Sequence, residues 1–348
     1  AIRTSTICGV VPLLLMWLIS PQAINGQDQD EKPSAASGRT LTWALLVFSV
    51  VWLVVCKSPY DRESKYFALA VIDDVVDGRP VKKLVLDRLV HSAVDVDDPE
   101  FLFYPHERVQ GEFTRAAAAD ARAAGRKPKI LVIGGGGYSF PRWVEAQKDL
   151  ADVQIDVVEI DPEVTNIAHD QLGLPRSTRI NSFHMDGRQF VKTADAASYD
   201  LVIQDAVNDY SVPYHLMTAQ YNQLIQRILH PEGIYLLTVI DGLESGRFLA
   251  SALKSVRVAF SDTSLLAPQE TASLKVRSVF VIAGRNNEAD NALADGSASL
   301  NARTAAHIFD ATEIHGLLNR QANRSPVLTD DYAPVDILMT SQFLSRAD

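Results

Sequence analysis

The run Lys129-Ile-Leu-Val-Ile-Gly-Gly-Gly-Gly-Tyr138 constrains the fold more than any other stretch, because an apolar strand that meets four glycines must end there in a bend. Having no Cβ atoms, Gly134, Gly135, Gly136 and Gly137 let a ligand approach backbone N–H groups, and a helix opening beyond them points its positive end the same way. The following stretches repeat the arrangement. Val157-Val-Glu-Ile-Asp161 closes an apolar strand with carboxylates, Met185-Asp-Gly-Arg188 supplies another acid, and Leu201-Val-Ile-Gln-Asp205 ends a further strand on Asp205. Successive strand tips carrying glycine or acid describe the nucleoside-binding edge of an α/β, doubly wound sheet. A dinucleotide fingerprint would add a third glycine near Ser139, which is missing, so a nicotinamide cofactor is disfavoured.

Helix formers over 113–124, 143–150, 162–171, 216–229 and 248–260 alternate with apolar strands over 129–133, 201–205, 234–240 and 275–283, the pattern of a mostly parallel sheet. Residues 66–92 alternate apolar and polar side chains around the turn signal Asp77-Gly-Arg-Pro80, which predicts a β-hairpin outside the main sheet. The polar, small-residue run over 286–299 reads as a surface loop. The expected organisation is a membrane anchor over 1–57, an N-terminal β-hairpin or lid domain over 58–112, and a nucleoside-binding catalytic domain over 113–348.

A net charge of −10 opposes a broad nucleic-acid footprint and suits cationic substrates such as amines. Cys8 and Cys56 lie inside apolar stretches, and the eight histidines are scattered without ligand spacing, so neither a disulfide framework nor a metal site is expected. Residues 4–20 and 41–56 hold no charge and carry Trp near their ends. Each is at the short end of the length that spans a hydrocarbon core of about 30 Å. They predict a two-helix hairpin, with a signal segment as the rival reading of 4–20, given Arg3 and Ser20-Pro-Gln-Ala23. Arg3, Lys57, Arg62 and Lys65 flank the pair and predict a large cytoplasmic domain at a bacterial inner membrane. Such helices could also carry a membrane-protein partner or a second copy of the chain.

Glu159 ends its strand where a carboxylate can accept from both hydroxyls of a ribose. Asp186, before Gly187, reads either as an acceptor for an adenine amino group or as an ordinary turn. The loop 205–213 leaves a central strand over the expected nucleoside, which makes Asp205 the candidate catalytic carboxylate. Asn208, Asp209, Tyr210 and His215 are candidates for an acceptor pocket, with a cap and turn before the next helix as the plain reading of Asp209 and His215. Residues 87–91 and Tyr104-Pro-His-Glu107 lie outside the sheet as a candidate lid.

In order, Leu86-Asp87 with His91-Ser92, Tyr104 with Glu107, the glycine loop with Tyr138, Phe140, Pro141 and Arg142, Glu159-Ile-Asp-Pro162, Asp186, Asp205 with Pro213-Tyr-His-Leu216, and Leu328-Thr-Asp-Asp-Tyr-Ala-Pro334 carry a resemblance. From Tyr66 to Leu338 the chain resembles the polyamine aminopropyltransferases, the spermidine synthase family, and within it the membrane-linked relatives described as fused transporter and spermidine-synthase-like proteins. The resemblance implies a small N-terminal β domain on a Rossmann-like sheet of the class I methyltransferase type. It also implies Glu159 on the ribose, Asp186 on the adenine, Asp205 on the attacking amine, His91 and Tyr104 facing the substrate, and decarboxylated S-adenosylmethionine or S-adenosylmethionine as donor without a metal. The chain departs from the family pattern at Gly137, where the family has an Asp that holds the aminopropyl amine, and at Asn208, where it has a second acid. His91 replaces a family Gln. A missing carboxylate beside the donor's tail removes the electrostatic preference for the decarboxylated donor. The resulting expectation is aminopropyl transfer to an amine, with S-adenosylmethionine-dependent methylation or a related adenosyl-cofactor transfer as one alternative and a catalytically silent membrane-anchored accessory subunit as another.

Overall fold

The computed structural model describes residues 60–206, 212–243, 246–269, 277–286 and 306–344, together with Trp43, Val47 and Ser58. The expected membrane stretches 4–20 and 41–56 lie outside the described residues save for Trp43 and Val47, as does the expected loop 286–299 save for Asn286. Among the described residues no helix is long and apolar enough to cross a membrane.

The chain divides into two units, Ala1–Ala70 and Val71–Asp348. In the first, β1 (Arg62–Glu63) pairs antiparallel with the start of β2 (Ala68–Val76), Arg62 opposite Leu69. In the second, the remainder of β2 is followed by β3 (Arg79–Leu86) and β4 (Leu89–Val94), in the order β2-β3-β4. Asp77 and Gly78 both have positive φ, 51° and 78°, which suits the tight turn between β2 and β3. The expected hairpin thus gains a further strand, because a second turn at Asp87 folds β4 back on β3.

The large sheet contains β5 (Lys129–Ile133), β6 (Gln154–Val158), β7 (Asn181–Phe183), β8 (Tyr199–Gln204), β9 (Leu229–Gly242), β10 (Asp262–Pro268), β11 (Arg277–Arg285) and β12 (Ala306–Ile308). Its order is β12-β10-β11-β9-β8-β5-β6-β7, parallel from β7 to β9 and antiparallel from β9 to β12. From β5 the chain winds outward through β6 and β7, then returns to the other side of β5 as β8. That reversal opens a crevice at the carboxyl ends of β5 and β8. Ile130–Ile133 and Leu201–Ile203 within these strands are buried throughout, which explains those apolar runs.

Eight helices are described: α1 (Pro105–Ala123), α2 (Ser139–Ala146), α3 (Pro162–Gln171), α4 (Gly187–Thr193), α5 (Ala219–Ile228), α6 (Arg247–Ala259), α7 (Ala311–Arg320) and α8 (Val335–Leu344). The first begins at Pro105 rather than at residue 113. Pro105 fits the first helical turn, and the Glu107 carboxylate accepts from Tyr104 N at 3.3 Å, so the start lies ahead of the alanine-rich run. Gly111 inside this helix is a contact device: a Cβ there would come within 2.7 Å of the Trp143 ring. The second helix begins at Ser139, directly after the glycine bend, rather than at Trp143.

Candidate active site

The glycine bend brings two strand ends together. Gly134 adopts φ 99°, and a Cβ on it would lie 2.5 Å from the carbonyl oxygen of Asp205, so only glycine lets β5 close on the end of β8. Asp205 N donates to Ile133 O at 2.9 Å and Gly134 N donates to Val158 O at 2.9 Å, which aligns the tips of β5, β6 and β8. Tyr138, in the left-handed region at φ 58°, ends the bend and caps α2. Its buried hydroxyl bonds Thr165 and Ser182, each at 2.9 Å, and these contacts hold an otherwise unfavourable backbone conformation.

Glu159 lies beneath the bend. Its Oε2 accepts from Gly135 N at 2.8 Å and its Oε1 from Asp161 N at 2.9 Å. Burial pushes its carboxyl above the ordinary carboxylate value, and the backbone N–H bonds only partly offset this. A carboxylate has about four acceptor positions, so two such bonds orient Glu159 without exhausting it.

Asp186 is both cap and ligand candidate. Its Oδ1 accepts from Gln189 N at 3.0 Å, starting α4, while Oδ2 lies 2.8 Å from Nε2 of His215 in the short 3₁₀ turn Tyr214–Leu216. The same turn is held from behind, where Arg188 Nη1 donates to His215 O at 2.9 Å and forks onto Asp330. Thr218, the cap of α5, donates to Asp330 Oδ1 at 2.7 Å. The Leu328–Pro334 motif therefore acts on this edge of the crevice from the far end of the chain.

Asp205 has a built surrounding. Its Oδ2 lies 3.0 Å from His106 Nε2 and accepts from Gln110 Nε2 at 3.1 Å, and Gln110 Nε2 also donates to Thr238 Oγ1 at 3.2 Å. Burial alone would raise the Asp205 carboxyl, but His106, Gln110 and Thr238 prevail and hold it below the ordinary value. The side chain keeps 26% of its surface, so a substrate can still reach it. Beside it, Glu107 is buried, accepts from Ser139 Oγ, and is pushed up by burial. Tyr104 lies tilted against the His106 ring with centroids 5.5 Å apart and donates from its hydroxyl to Val90 O at 3.1 Å; burial, Glu107 and Asp205 push that phenol up to about 12.

Of the residues singled out from the sequence, Gly135 and Glu159 touch directly, Gly134 adjoins Asp205, and Asp186 pairs with His215. Ser92 fills the space beside Gly137, with its Oγ 2.0 Å from where a Cβ would stand, and His91 precedes it in β4. Asn208, Asp209 and Tyr210 lie outside the described residues. Sequence reasoning missed His106, Gln110, Thr238, Arg188 and Asp330 as parts of the site. His106, Arg188 and Asp330 stand in stretches the sequence analysis singled out without giving them these roles, and Thr238 is a lone polar residue within the apolar run 234–240.

Residues 118–288 match the spermine/spermidine synthase domain model, a span that contains the glycine bend, Glu159, Asp186 and Asp205. The chain is 21% identical over 367 residues to a probable polyamine aminopropyl transferase of Bifidobacterium longum, covering 92% of this chain and 77% of that protein. It is 25% identical to a polyamine aminopropyltransferase of Vibrio vulnificus, covering 67% of this chain and 77% of that one. A crystal structure of a probable spermidine synthase from Corynebacterium glutamicum shares the fold, with a TM-score of 0.62 at 18% identity, over 80% of this chain and 99% of its own.

Proposed function

We propose that this chain is a spermidine-synthase-like transferase that moves an aminopropyl group from decarboxylated S-adenosylmethionine to a small amine. The observation that carries the reading is the position of Asp205: a reachable carboxylate kept ionised at the tip of β8, against Gly134 of the glycine bend whose next residue, Gly135, holds Glu159. Glu159 would hold the ribose hydroxyls and Asp186, oriented by Gln189 N and His215, the adenine amino group. A neutral amine nitrogen attacks the methylene carbon beside the sulfonium. The new C–N bond forms as the C–S bond breaks, its electron pair stays on sulfur, and uncharged methylthioadenosine leaves. The attacking nitrogen then gives a proton to water. Little covalent help is required, so Asp205 acts by orienting the amine. A carboxyl held below the usual range is a weak base, which fits that role.

Ser92 favours a second reading. Its hydroxyl occupies the space beside Gly137 where a larger side chain would project, so the contact there is neutral and does not repel the α-carboxylate of ordinary S-adenosylmethionine. Incubation with each donor separates the two: methylthioadenosine release marks aminopropyl transfer, S-adenosylhomocysteine marks methylation. Asp205→Asn should lower turnover by about 10²-fold or more while methylthioadenosine still binds. Undiminished turnover would remove Asp205 from the reaction. The uncharged stretches 4–20 and 41–56 further support attachment to a membrane, with the transferase on its cytoplasmic side, and complete release of the chain by alkaline extraction would refute it.

A further inference from the structure

His106 is a buried titratable group to which aminopropyl transfer assigns no task. It sits in the first turn of α1 with 8% of its surface exposed, its Nε2 faces Asp205 Oδ2 at 3.0 Å, and its Nδ1 is buried without a hydrogen-bond partner. In the neutral ring, Nε2–H donates to the carboxylate and Nδ1 is a bare lone pair. In the protonated ring, Nδ1–H has no acceptor and the charge is balanced by the acids around it. The titratable groups that face the imidazole are Asp205 from the end of β8, Glu107 beside it on α1, and Tyr104 tilted against it from the helix cap. Burial disfavours the protonated ring, but Asp205 and Glu107 outweigh it and hold the imidazole above its ordinary value.

An aliphatic amine reaches the site as an ammonium ion near neutral pH, since its ordinary pKa is about 10. It seeks the same carboxylate charge that an imidazolium would already neutralise. Resting on the aminopropyl-transfer reading, we infer that His106 sets the charge of the acceptor subsite: imidazolium and incoming ammonium compete for Asp205, and binding the amine expels one proton from His106 to solvent. Above the His106 transition the subsite carries a full negative charge and takes a cation readily. Below it, affinity for the amine falls by up to about tenfold per pH unit. Neutral acceptors would lack this dependence.

The test is calorimetric titration of the full chain, saturated with methylthioadenosine, with the diamine putrescine from about pH 5.5 to 8.5, a window that brackets an imidazole. Two buffers of different ionisation enthalpy count the protons. Release should approach about one proton per diamine toward the acid end. A heat independent of buffer at every pH overturns the inference, and this measurement needs no variant. His106→Gln keeps an N–H for Asp205 but cannot take up a proton, so its diamine affinity should be flat with pH; an unchanged acid limb in that variant also overturns it. Methylthioadenosine release from the decarboxylated donor, followed separately, reports on the transfer itself. Turnover with buffer-independent binding sinks the His106 inference alone, whereas neither turnover nor diamine binding sinks both.

Discussion

Gly137 and Ser92 share a space that holds one side chain. A Cβ added at residue 137 would stand 2.0 Å from Ser92 Oγ and 2.9 Å from Ser92 Cβ, far inside any tolerated contact. Ser92 is buried on β4, so it cannot swing into solvent to make room. Gly137→Ala should therefore lower the unfolding free energy by about 1–3 kcal/mol, read from urea denaturation. Adding Ser92→Gly should restore most of that loss, because it removes both offending atoms. Equal destabilisation in the single and double variants would show that the strain lies in the backbone of the bend instead. The pair also bounds what can be grafted here: a carboxylate placed at residue 137 to hold a donor's amine has no room until residue 92 gives way.

At the scale of elements, α4, the 3₁₀ turn at Tyr214–Leu216 and the start of α5 converge on one acid. Asp330 receives both arms of Arg188 and the Thr218 hydroxyl, while Arg188 also holds the His215 carbonyl. The Arg188 side chain is only 12% exposed, so losing its partner leaves a poorly solvated charge. Asp330→Asn should thus raise KM for the nucleoside donor while leaving kcat largely intact, with a stability loss of about 1–3 kcal/mol. A fall in kcat with KM unchanged would contradict an orienting role. The contrast between what sequence conveys and what it hides is sharp here. Glu159, Asp186 and Asp205 were legible because each ends a local apolar strand or opens a helix, and strand tips of a parallel sheet share one edge. The roles of Asp330 and His106 were not, although both stand in quoted stretches, because their partners lie 142 and 99 residues away and no local pattern encodes such pairings. The early start of α1 was hidden for a different reason. Pro105 and Gly111 read as breakers until the cap and the Trp143 contact are seen. Short edge strands such as β12 likewise take their identity from their partner β10 rather than from their own residues.

Across the whole second unit, the segment from β12 to α8 does more than deliver Asp330. Leu328, Val335, Leu338 and Met339 enter the same apolar core as α5, α6 and β9. Leu328 is further pinned by its backbone, which accepts from Ala219 N and donates to Ser255 Oγ, each at 2.8 Å. Burying a large aliphatic side chain stabilises by about 1.5–3 kcal/mol, so these four together contribute roughly 6–12 kcal/mol. That is comparable to the entire stability of a typical domain, about 5–15 kcal/mol. A chain ending at Arg324 should therefore lose its cooperative unfolding transition altogether, whereas Asp330→Asn keeps one at lower denaturant. Saturating methylthioadenosine provides the complementary measurement. At a hundredfold excess over Kd it should stabilise the intact chain by about 2.7 kcal/mol, and it should have nothing folded to bind in the truncated one. A truncated chain that still melts cooperatively and shifts with nucleoside would mean that the parallel half of the sheet, from β7 to β9, folds and builds its crevice without the C-terminal segment.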